Sequence, residues 1–212
     1  MKLGIFDSGI GGEAVATALQ QTFPDAVIQT VNDRDHLPYG NKSPSEVIRL
    51  TDAAIQPLLN DDCDIIILAC NTATALAIET LRKNYPTQKF IGIEPMIKTA
   101  VELTRTKKIV VCATTATLQS QRYHDLVSRY ANGVEIIQPD CSEWAQLIEN
   151  NEINRTHIEM QITDACDQGA DIIVLGCTHY HWIKDLISDV VGGRARVIEP
   201  SEAIGRRVQT LL

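Results

Sequence analysis

Two cysteines end nearly identical stretches of the sequence, DIIILAC at 64–70 and DIIVLGC at 171–177. Five of the seven letters agree, and the stretches lie 107 residues apart in a chain of 212 residues. Each cysteine follows an apolar run typical of a strand and precedes a polar stretch typical of a helix start. A helix N-terminus stabilises an anion, so a thiol at such a position can be a thiolate near neutral pH. The alternative is a pair of inert core thiols, because free cysteine commonly packs as a small hydrophobic residue.

Two thiols on opposite faces of a small carboxylic acid are suited to inverting a stereocentre. One side chain removes the proton from one face, and the other returns a proton to the opposite face. The α-proton of an amino acid is weakly acidic, so prearranged donors must stabilise a carbanion-like transition state. This scheme requires neither a cofactor nor a metal. We therefore predict cofactor-independent proton transfer, with Cys70 and Cys177 as the acid and base.

Asp7 and His179 are the candidate helpers of the two thiols. His179 lies two residues after Cys177, and Asp7 follows the first apolar run. A carboxylate or an imidazole beside a thiol can accept its proton or fix its protonation state. Each residue also has a structural interpretation: Asp7 as a helix N-cap, and His179 as a solvent-facing residue of a first helical turn.

Neutral polar residues cluster where apolar runs end, and ligands of open parallel sheets bind at the carboxyl ends of strands. Hydroxyls, amides and helix N-termini suit a carboxylate better than a bulky phosphate, which commonly recruits a cation. Helix capping is the alternative, because it uses the same residue types. The glycine-rich DSGIGG segment at 7–12 fits a plain strand-to-helix turn or a mononucleotide loop equally well, but a GK[ST] motif is missing. The candidate substrate-binding residues are Ser8, Asn71, Thr72, Thr114, Thr117 and Thr178.

Short apolar runs alternate with longer amphipathic stretches along the whole chain. The pattern predicts an α/β protein with mostly parallel sheets, because runs such as IIIL and IIVL are apolar on both faces. The predicted strands are 3–6, 26–31, 65–69, 90–93, 109–112, 134–138, 172–175 and 195–198. The predicted helices are 12–22, 44–59, 72–84, 96–104, 119–130, 142–150, 155–168, 180–190 and 201–211.

A second repeat supports two similar halves, because the tripeptide IEP occurs at 93–95 and again at 198–200. The two repeats have nearly matching offsets of 107 and 105 residues, which suggests an internal duplication, and chance similarity between apolar strands is the alternative. We expect a first α/β domain over 1–96 and a second over 97–198, with the helix at 199–212 packing back on the first. We also expect the halves to be related by a pseudo-twofold axis, with the active site in the cleft between them.

Composition excludes several classes of function. The net charge is −8 and the pI near 5.1, which disfavours nonspecific nucleic-acid binding because that requires a basic surface. The opening MKLGIFDSGIGG lacks the long apolar core of a signal peptide, and no run approaches the length of a membrane span. We therefore expect a cytoplasmic protein with six reduced cysteines. None of these cysteines forms a CxxC pair, so we expect no structural metal.

Several motifs, in order along nearly the whole chain, resemble the glutamate racemases of the cofactor-independent aspartate/glutamate racemase superfamily. They are FDSGIGG, LPYGNKSPSEV, ACNTAT, GIEPMIKTA, CATTATLQSQRY and LGCTHY. The stretch DCSEWAQLIE also resembles a family segment, although Ser142 and Gln146 stand where the family has prolines. The fold implied by this resemblance is a pair of Rossmann-like α/β/α half-domains.

The resemblance also implies roles for individual residues. Cys70 would act on the D-enantiomer with help from Asp7, and Cys177 on the L-enantiomer with help from His179. Glu149 would be an acid near the second cysteine. Positions that match substrate-binding residues of the family are Ser8, Pro38, Tyr39, Gly40, Asn71, Thr72, Thr114, Thr117 and Thr178.

The implied function is glutamate racemisation without a cofactor, in a cytoplasmic homodimer that supplies D-glutamate for peptidoglycan synthesis, cell wall biogenesis and cell shape. One alternative is a racemase of the same superfamily that acts on aspartate or another small acid. The other alternative is a non-catalytic, racemase-like regulatory protein. The motifs alone do not separate these three readings.

Overall fold

A computed structural model describes all residues from Met1 to Leu212. The chain divides into two compact units, one formed by Met1–Glu94 with Pro200–Leu212 and the other by Pro95–Glu199. The strands are β1 Lys2–Asp7, β2 Val27–Asn32, β3 Ile65–Leu68, β4 Lys89–Gly92, β5 Lys108–Cys112, β6 Glu135–Ile137, β7 Ile172–Leu175 and β8 Arg196–Ile198. The α-helices are α1 Gly11–Thr22, α2 Pro44–Ala54, α3 Gln56–Asn60, α4 Asn71–Asn84, α5 Ile97–Leu103, α6 Thr115–Leu118, α7 Gln121–Tyr130, α8 Trp144–Glu149, α9 Arg155–Asp167, α10 Lys184–Val191 and α11 Ser201–Leu211.

Each unit contains a four-stranded sheet in which every pairing is parallel. The strand order is β2-β1-β3-β4 in the first unit and β6-β5-β7-β8 in the second, so the two units share one topology. This confirms the predicted α/β class and parallel sheets. All eight predicted strands are present, and no end is shifted by more than one residue.

The central strand β3 shows why the apolar runs form strands that are buried on both faces. Ile66 and Leu68 pack in one apolar cluster with residues of α2 and α4. Ile65 and Ile67 pack in another cluster with residues of α1 and α11. A four-residue strand with helices on both faces must be apolar throughout, as the IIIL run is. The central strand β7 of the second unit, with sequence IIVL, is likewise fully buried.

The aspartate that opens each copy of the repeat binds backbone amides at the amino end of its sheet. Asp64 accepts a hydrogen bond from the amide of Lys2 at 2.7 Å. Asp171 accepts from the amides of Arg105 at 2.7 Å and Thr106 at 3.2 Å. In each unit, the repeated aspartate therefore links the start of the central strand to the start of the strand beside it. This link lies at the end of the sheet opposite to the cysteine.

Two predicted helices are not continuous. The helix predicted over 44–59 ends at Ala54 and resumes at Gln56, because Pro57 has no N–H with which to continue the helical hydrogen bonds. The helix predicted over 180–190 begins as a 3-10 helix, Thr178–Ile183, and becomes α-helical at Lys184. The short helix α6 was not predicted, because its four residues are too few to show a helical period of apolar residues. None of the helices has the length and apolar character needed to cross a bilayer.

Candidate active site

Cys70 lies where the first unit's central strand ends and α4 begins. Its side chain is the N-cap of α4, and Sγ accepts a hydrogen bond from the amide of Ala73 at 3.5 Å. The hydroxyl of Ser8 donates to the same sulfur at 3.3 Å. The thiol is 6% exposed, so it is nearly buried but not sealed from solvent. Two donors therefore hold this sulfur in place.

Asp7 reaches this thiol because β1 and β3 are adjacent parallel strands. The amide of Ala69 donates to the carbonyl of Phe6 at 2.8 Å, so the ends of the two strands lie side by side. The buried carboxylate of Asp7 accepts a hydrogen bond from the amide of Gly9 at 2.8 Å. A Cβ on Gly12 would lie 2.8 Å from the Asp7 Cβ, so glycine is required where α1 passes this side chain.

The electrostatic balance at Cys70 contradicts the prediction of an acidic thiol at a helix start. Burial, followed by the negative charge of Asp7, raises the pKa of Cys70 from its ordinary 9.0 to about 11. The Ser8 hydroxyl and the first amides of α4 lower this pKa, but by less. A helix terminus stabilises a charge by only about 0.3–1 kcal/mol, whereas burial can shift a pKa by several units. Cys70 is therefore a protonated thiol at neutral pH.

Cys177 occupies the equivalent position after β7 and is also 6% exposed. The turn before it depends on Gly176, whose amide donates to the carbonyl of Cys112 at 2.7 Å. A Cβ on Gly176 would lie 3.0 Å from that carbonyl oxygen and 3.1 Å from the Ala113 Cβ. The absence of a Cβ thus lets the turn pass close to the end of β5. Unlike Cys70, this cysteine makes no side-chain capping hydrogen bond to the helix that follows it.

The His179 ring lies between Cys177 and Glu149. His179 Nδ1 lies 3.8 Å from Cys177 Sγ, and His179 Nε2 lies 2.8 Å from Glu149 Oε2. The His179 side chain is buried and the Glu149 side chain is partly buried, with 3% and 13% exposed. An Nε2–H that donates to the carboxylate leaves the Nδ1 lone pair directed at the sulfur. His179 is therefore not the solvent-facing residue that the structural interpretation allowed.

The segment that carries Glu149 is held against the 3-10 helix that carries His179. The Tyr180 hydroxyl donates to the carbonyl of Cys141 at 3.0 Å, and the Trp144 ring meets the Tyr180 ring edge-on at 5.3 Å. Both rings are buried. These contacts at the start of α8 fix its direction, although the prolines typical of this segment are replaced.

The predicted PYG segment lies near Cys70 and is anchored by a residue that the sequence analysis missed. Tyr39 is buried, packs 6.2 Å from the Phe6 ring and donates its hydroxyl to Asp33 at 2.7 Å. Burial, assisted by Asp33, raises the pKa of Tyr39 well above its ordinary value, so it remains a neutral donor. Asp33 directly follows β2, as Ser8 directly follows β1, and this shared position at the carboxyl edge was the available signal.

The remaining neutral polar residues that were predicted to bind substrate are buried, and several make hydrogen bonds within the protein. The Thr114 hydroxyl caps α6 by accepting from the amide of Thr117 at 3.3 Å, and the two hydroxyls lie 3.0 Å apart. The side-chain amide of Asn71 donates to the carbonyl of Ile93 at 3.3 Å. The role of these residues in substrate binding stays a prediction. Thr72 and Thr178 are buried beside the two cysteines, and Pro38 and Gly40 are partly exposed on either side of Tyr39.

All six cysteines are buried free thiols. The structure contains no group of three or more histidine, cysteine, aspartate and glutamate side chains arranged to hold a metal ion. Two local sites result, one in each unit. Cys70 lies with Asp7 and Ser8, while Cys177 lies with His179 and Glu149.

Comparison with known proteins places the chain in a family. Residues 13–207 match the sequence model of the family described as Asp/Glu/Hydantoin racemase. The glutamate racemase of Sulfurovum sp. (strain NBC37-1) is 38% identical over 218 residues, which cover 100% of this chain and 82% of that protein. The resemblance inferred from the motifs is therefore confirmed.

Solved structures show the same fold. Escherichia coli glutamate racemase, in complex with L-glutamate and the activator UDP-MurNAc-Ala, matches with a TM-score of 0.90 and 26% identity over 99% of this chain and 81% of that chain. Glutamate racemase from Francisella tularensis subsp. tularensis SCHU S4, in complex with D-glutamate, matches with a TM-score of 0.83 and 26% identity over 100% of this chain and 80% of that chain. The chain belongs to the Asp/Glu/Hydantoin racemase family and is an isomerase of the amino-acid racemase class.

Proposed function

We propose that the protein is a cofactor-independent glutamate racemase that interconverts L-glutamate and D-glutamate. The observation that carries this proposal is the matched position of two thiols, each at the carboxyl end of a central strand and each with its own acid–base neighbour. Cys70 has Asp7 beside it, whereas Cys177 has His179 at 3.8 Å. A single proton-transfer group would not require a second, separately supported thiol.

In the proposed reaction the two sulfurs act on opposite faces of the α-carbon. From L-glutamate, the Cys177 thiolate takes the α-proton while the Cys70 thiol delivers its own proton to the other face. From D-glutamate the roles reverse. Each turnover moves one proton from carbon to sulfur and another from sulfur to carbon, so it leaves the two cysteines with exchanged protonation states. Asp7 assists the proton on Cys70, and His179 with Glu149 assists the proton on Cys177.

Glutamate is the proposed substrate because the polar groups around the thiols suit carboxylates. Ser8, Asn71, Thr72 and Tyr39 on one unit, and Thr114, Thr117 and Thr178 on the other, supply neutral donors without a lysine or arginine among them. Related proteins have been solved with L-glutamate and with D-glutamate. The family description also includes aspartate and hydantoin, so substrate choice requires a direct comparison of acids.

The biological setting is proposed on the same family resemblance. A glutamate racemase would supply D-glutamate for peptidoglycan synthesis in the cytoplasm and so contribute to cell wall biogenesis and cell shape. We also propose a homodimer, which light scattering coupled to size-exclusion chromatography would detect as twice the 23.4 kDa mass of the chain. A monomer that is fully active would contradict the dimer without affecting the racemase.

The test of the function is incubation in D2O without pyridoxal phosphate or added metal. We expect L-glutamate to yield D-glutamate that carries α-deuterium, and D-glutamate to yield the L-enantiomer. A panel that includes aspartate and other small acids decides the substrate, because the preferred acid should exchange fastest. Exchange with aspartate alone would reassign the substrate. Glutamate binding without any exchange would instead support a regulatory protein.

Three cysteine variants test the residues. Cys70→Ser and Cys177→Ser should each abolish racemisation, because a serine hydroxyl is far less acidic than a thiol. Cys166→Ser is the matched control, since Cys166 is also a nearly buried thiol, 8% exposed, and its charged neighbours are Arg194 and Asp167 rather than residues of either site. Full activity in either of the first two variants would exclude the two-thiol mechanism.

A further inference from the structure

The 3-10 helix Thr178–Ile183 carries His179 and needs support from the elements around it. It runs for six residues, whereas most 3-10 helices end after three or four because their hydrogen bonds have poorer geometry. Its N-cap residue, Cys177, makes no side-chain capping hydrogen bond. Side-chain contacts to neighbouring elements must therefore fix the position of this helix and its rotation about its own axis.

The three faces of the 3-10 helix have different contacts. Side chains three residues apart stack on one face, because this helix has three residues per turn. Tyr180 is on the first face, where its buried side chain donates a hydrogen bond to the carbonyl of Cys141 at 3.0 Å. Thr178 and His181 share the second face, and His179 is on the third. The direction in which the His179 side chain points thus depends on how the other two faces are held.

His181 connects the second face to the end of the neighbouring strand β8. Strands β7 and β8 are paired in parallel, so Glu199, directly after β8, lies at the same edge of the sheet as Cys177. His181 Nε2 lies 3.5 Å from Glu199 Oε2. Only 10% of the histidine side chain and 17% of the glutamate side chain are exposed, so solvent screens this contact weakly.

The imidazole of His181 is neutral at pH 7. Burial lowers its pKa below the ordinary 6.5, and the opposing effect of Glu199 is smaller. A neutral ring has one N–H, and the carboxylate favours the tautomer that carries it on Nε2. The contact is longer than a good hydrogen bond, and no other group hydrogen-bonds the buried Nε2 atom. Burying this nitrogen is unfavourable unless its contact with Glu199 has a use.

We propose that His181 is a positioning residue that, through Glu199, fixes the rotation of the 3-10 helix and so places His179 against Cys177. His181 itself touches neither the substrate nor the thiol. The inference rests on the proposed function, because that function assigns His179 to the proton of Cys177. The geometric part needs no substrate: the contact between His181 and Glu199 determines where the His179 ring lies.

The first experiment measures glutamate racemisation by variants of His181. In His181→Ala we expect kcat to fall about tenfold while KM stays within about twofold, because misplacing an acid–base group by about 1 Å can cost about 100-fold in rate. His181→Gln should keep kcat within about threefold of native, since the glutamine amide can donate to Glu199 from the position of Nε2. A native kcat in His181→Ala would overturn the proposal. A rise in KM alone would also overturn it, because it would assign His181 to substrate binding through Thr178.

A double variant tests whether His181 and Glu199 act through one contact. Glu199→Ala should lower kcat by a factor similar to that of His181→Ala, and the double variant should be within about twofold of either single variant. Losses that multiply would show independent effects and overturn the proposal. Lys184→Met is the matched control, since Lys184 Nζ also lies near Glu199, 3.6 Å from Oε1, but follows the 3-10 helix. Its kcat should be native, and a loss equal to that of His181→Ala would overturn the assignment to His181.

The second experiment is independent of activity. In protein labelled with 13C-histidine, NMR detects the ring signals of the five histidines, and His179→Asn identifies the signal of His179. His181→Ala and Glu199→Ala should both shift this signal, while the signals of His36 and His124 stay in place and circular dichroism shows a native fold. In His181→Gln the His179 signal should keep its native position. An unmoved His179 signal in His181→Ala would overturn the positioning role.

Positioning and racemisation can fail separately. A protein that racemises no glutamate, but whose His179 signal moves in both alanine variants, would retain the positioning role and reject the racemase. Full racemisation by His181→Ala would retain the racemase and reject the positioning role. If His181→Ala does not fold, Glu199→Ala decides the outcome, because a native kcat and an unmoved His179 signal in that variant would overturn the proposal.

Discussion

The substitution Glu149→Gln separates the charge of this side chain from its shape. Glu149 accepts a hydrogen bond from His179 at 2.8 Å, and the pair is largely buried. Glutamine preserves the size and one acceptor oxygen but removes the negative charge of the group that accepts the hydrogen bond. A hydrogen bond to an ionised group contributes about 1.5–3 kcal/mol, against about 0.5–1.5 kcal/mol for a neutral one. We therefore expect a loss of about 1–2 kcal/mol of transition-state stabilisation, or about 5- to 30-fold in kcat/KM.

The assay measures the initial rate of glutamate racemisation in both directions, with circular dichroism as the readout. Because enantiomers have equal free energies, the equilibrium constant is one, and kcat/KM must fall by the same factor from either side. Glu152→Gln is the matched control, since Glu152 lies three residues further along on the exposed surface and should leave the rate unchanged. A Glu149→Gln variant with full activity would refute the role of the charge. Loss of activity in Glu149→Ala but not in Glu149→Gln would show that this residue acts only through packing.

Three further predictions concern the other contacts. Ser8→Ala removes the hydroxyl that donates to the Cys70 sulfur at 3.3 Å, so alkylation of Cys70 at pH 9 should slow by about 2- to 12-fold, and an unchanged rate would contradict this contact. Gly92→Ala places a Cβ 2.5 Å from Ile78 and should lower the free energy of unfolding in urea by about 1–3 kcal/mol. An unchanged free energy of unfolding would show that α4, which carries Ile78, can shift without cost. Burial raises the pKa of Asp171, but the hydrogen bonds that its carboxylate accepts lower it by more, so the net shift is downward. The ionised Asp171 therefore stabilises the fold at neutral pH, and this stabilisation is lost as the pH falls through the lowered pKa. In Asp171→Asn, the free energy of unfolding should fall less steeply with decreasing pH than in the native protein, and an equally steep fall would contradict this contribution.

The apolar runs predicted the architecture because a parallel strand buried on both faces has few other sequences available. The IIIL and IIVL runs became the central strands β3 and β7, and the cysteine after each lies at the carboxyl edge as expected. The interruption near Pro57 was also present in the sequence, since proline cannot continue a helical hydrogen-bond ladder, but the apolar period of 44–59 masked it.

The properties of the thiols could not be predicted from the sequence. A helix start after Cys70 suggested an acidic thiol, but the pKa depends on burial and on Asp7, which comes from a different strand. The contact between Glu149 and His179 joins residues 30 positions apart, and only the motif resemblance indicated it. Asp33 was missed because its importance comes from the hydroxyl of Tyr39, a contact that no local pattern encodes.

The assignment of Cys70 and Cys177 as catalytic residues stays a prediction, and the isotope content of both enantiomers early in the reaction tests it most directly. L-Glutamate is incubated with the native protein in D2O and quenched before about a tenth has reacted, and the separated enantiomers are analysed by mass spectrometry. With one thiol on each face, the D-glutamate formed should carry deuterium from the solvent, while the recovered L-glutamate retains its original α-proton. Deuterium in the recovered L-glutamate at the level found in the product would show that one group serves both faces, and would contradict the two-thiol account.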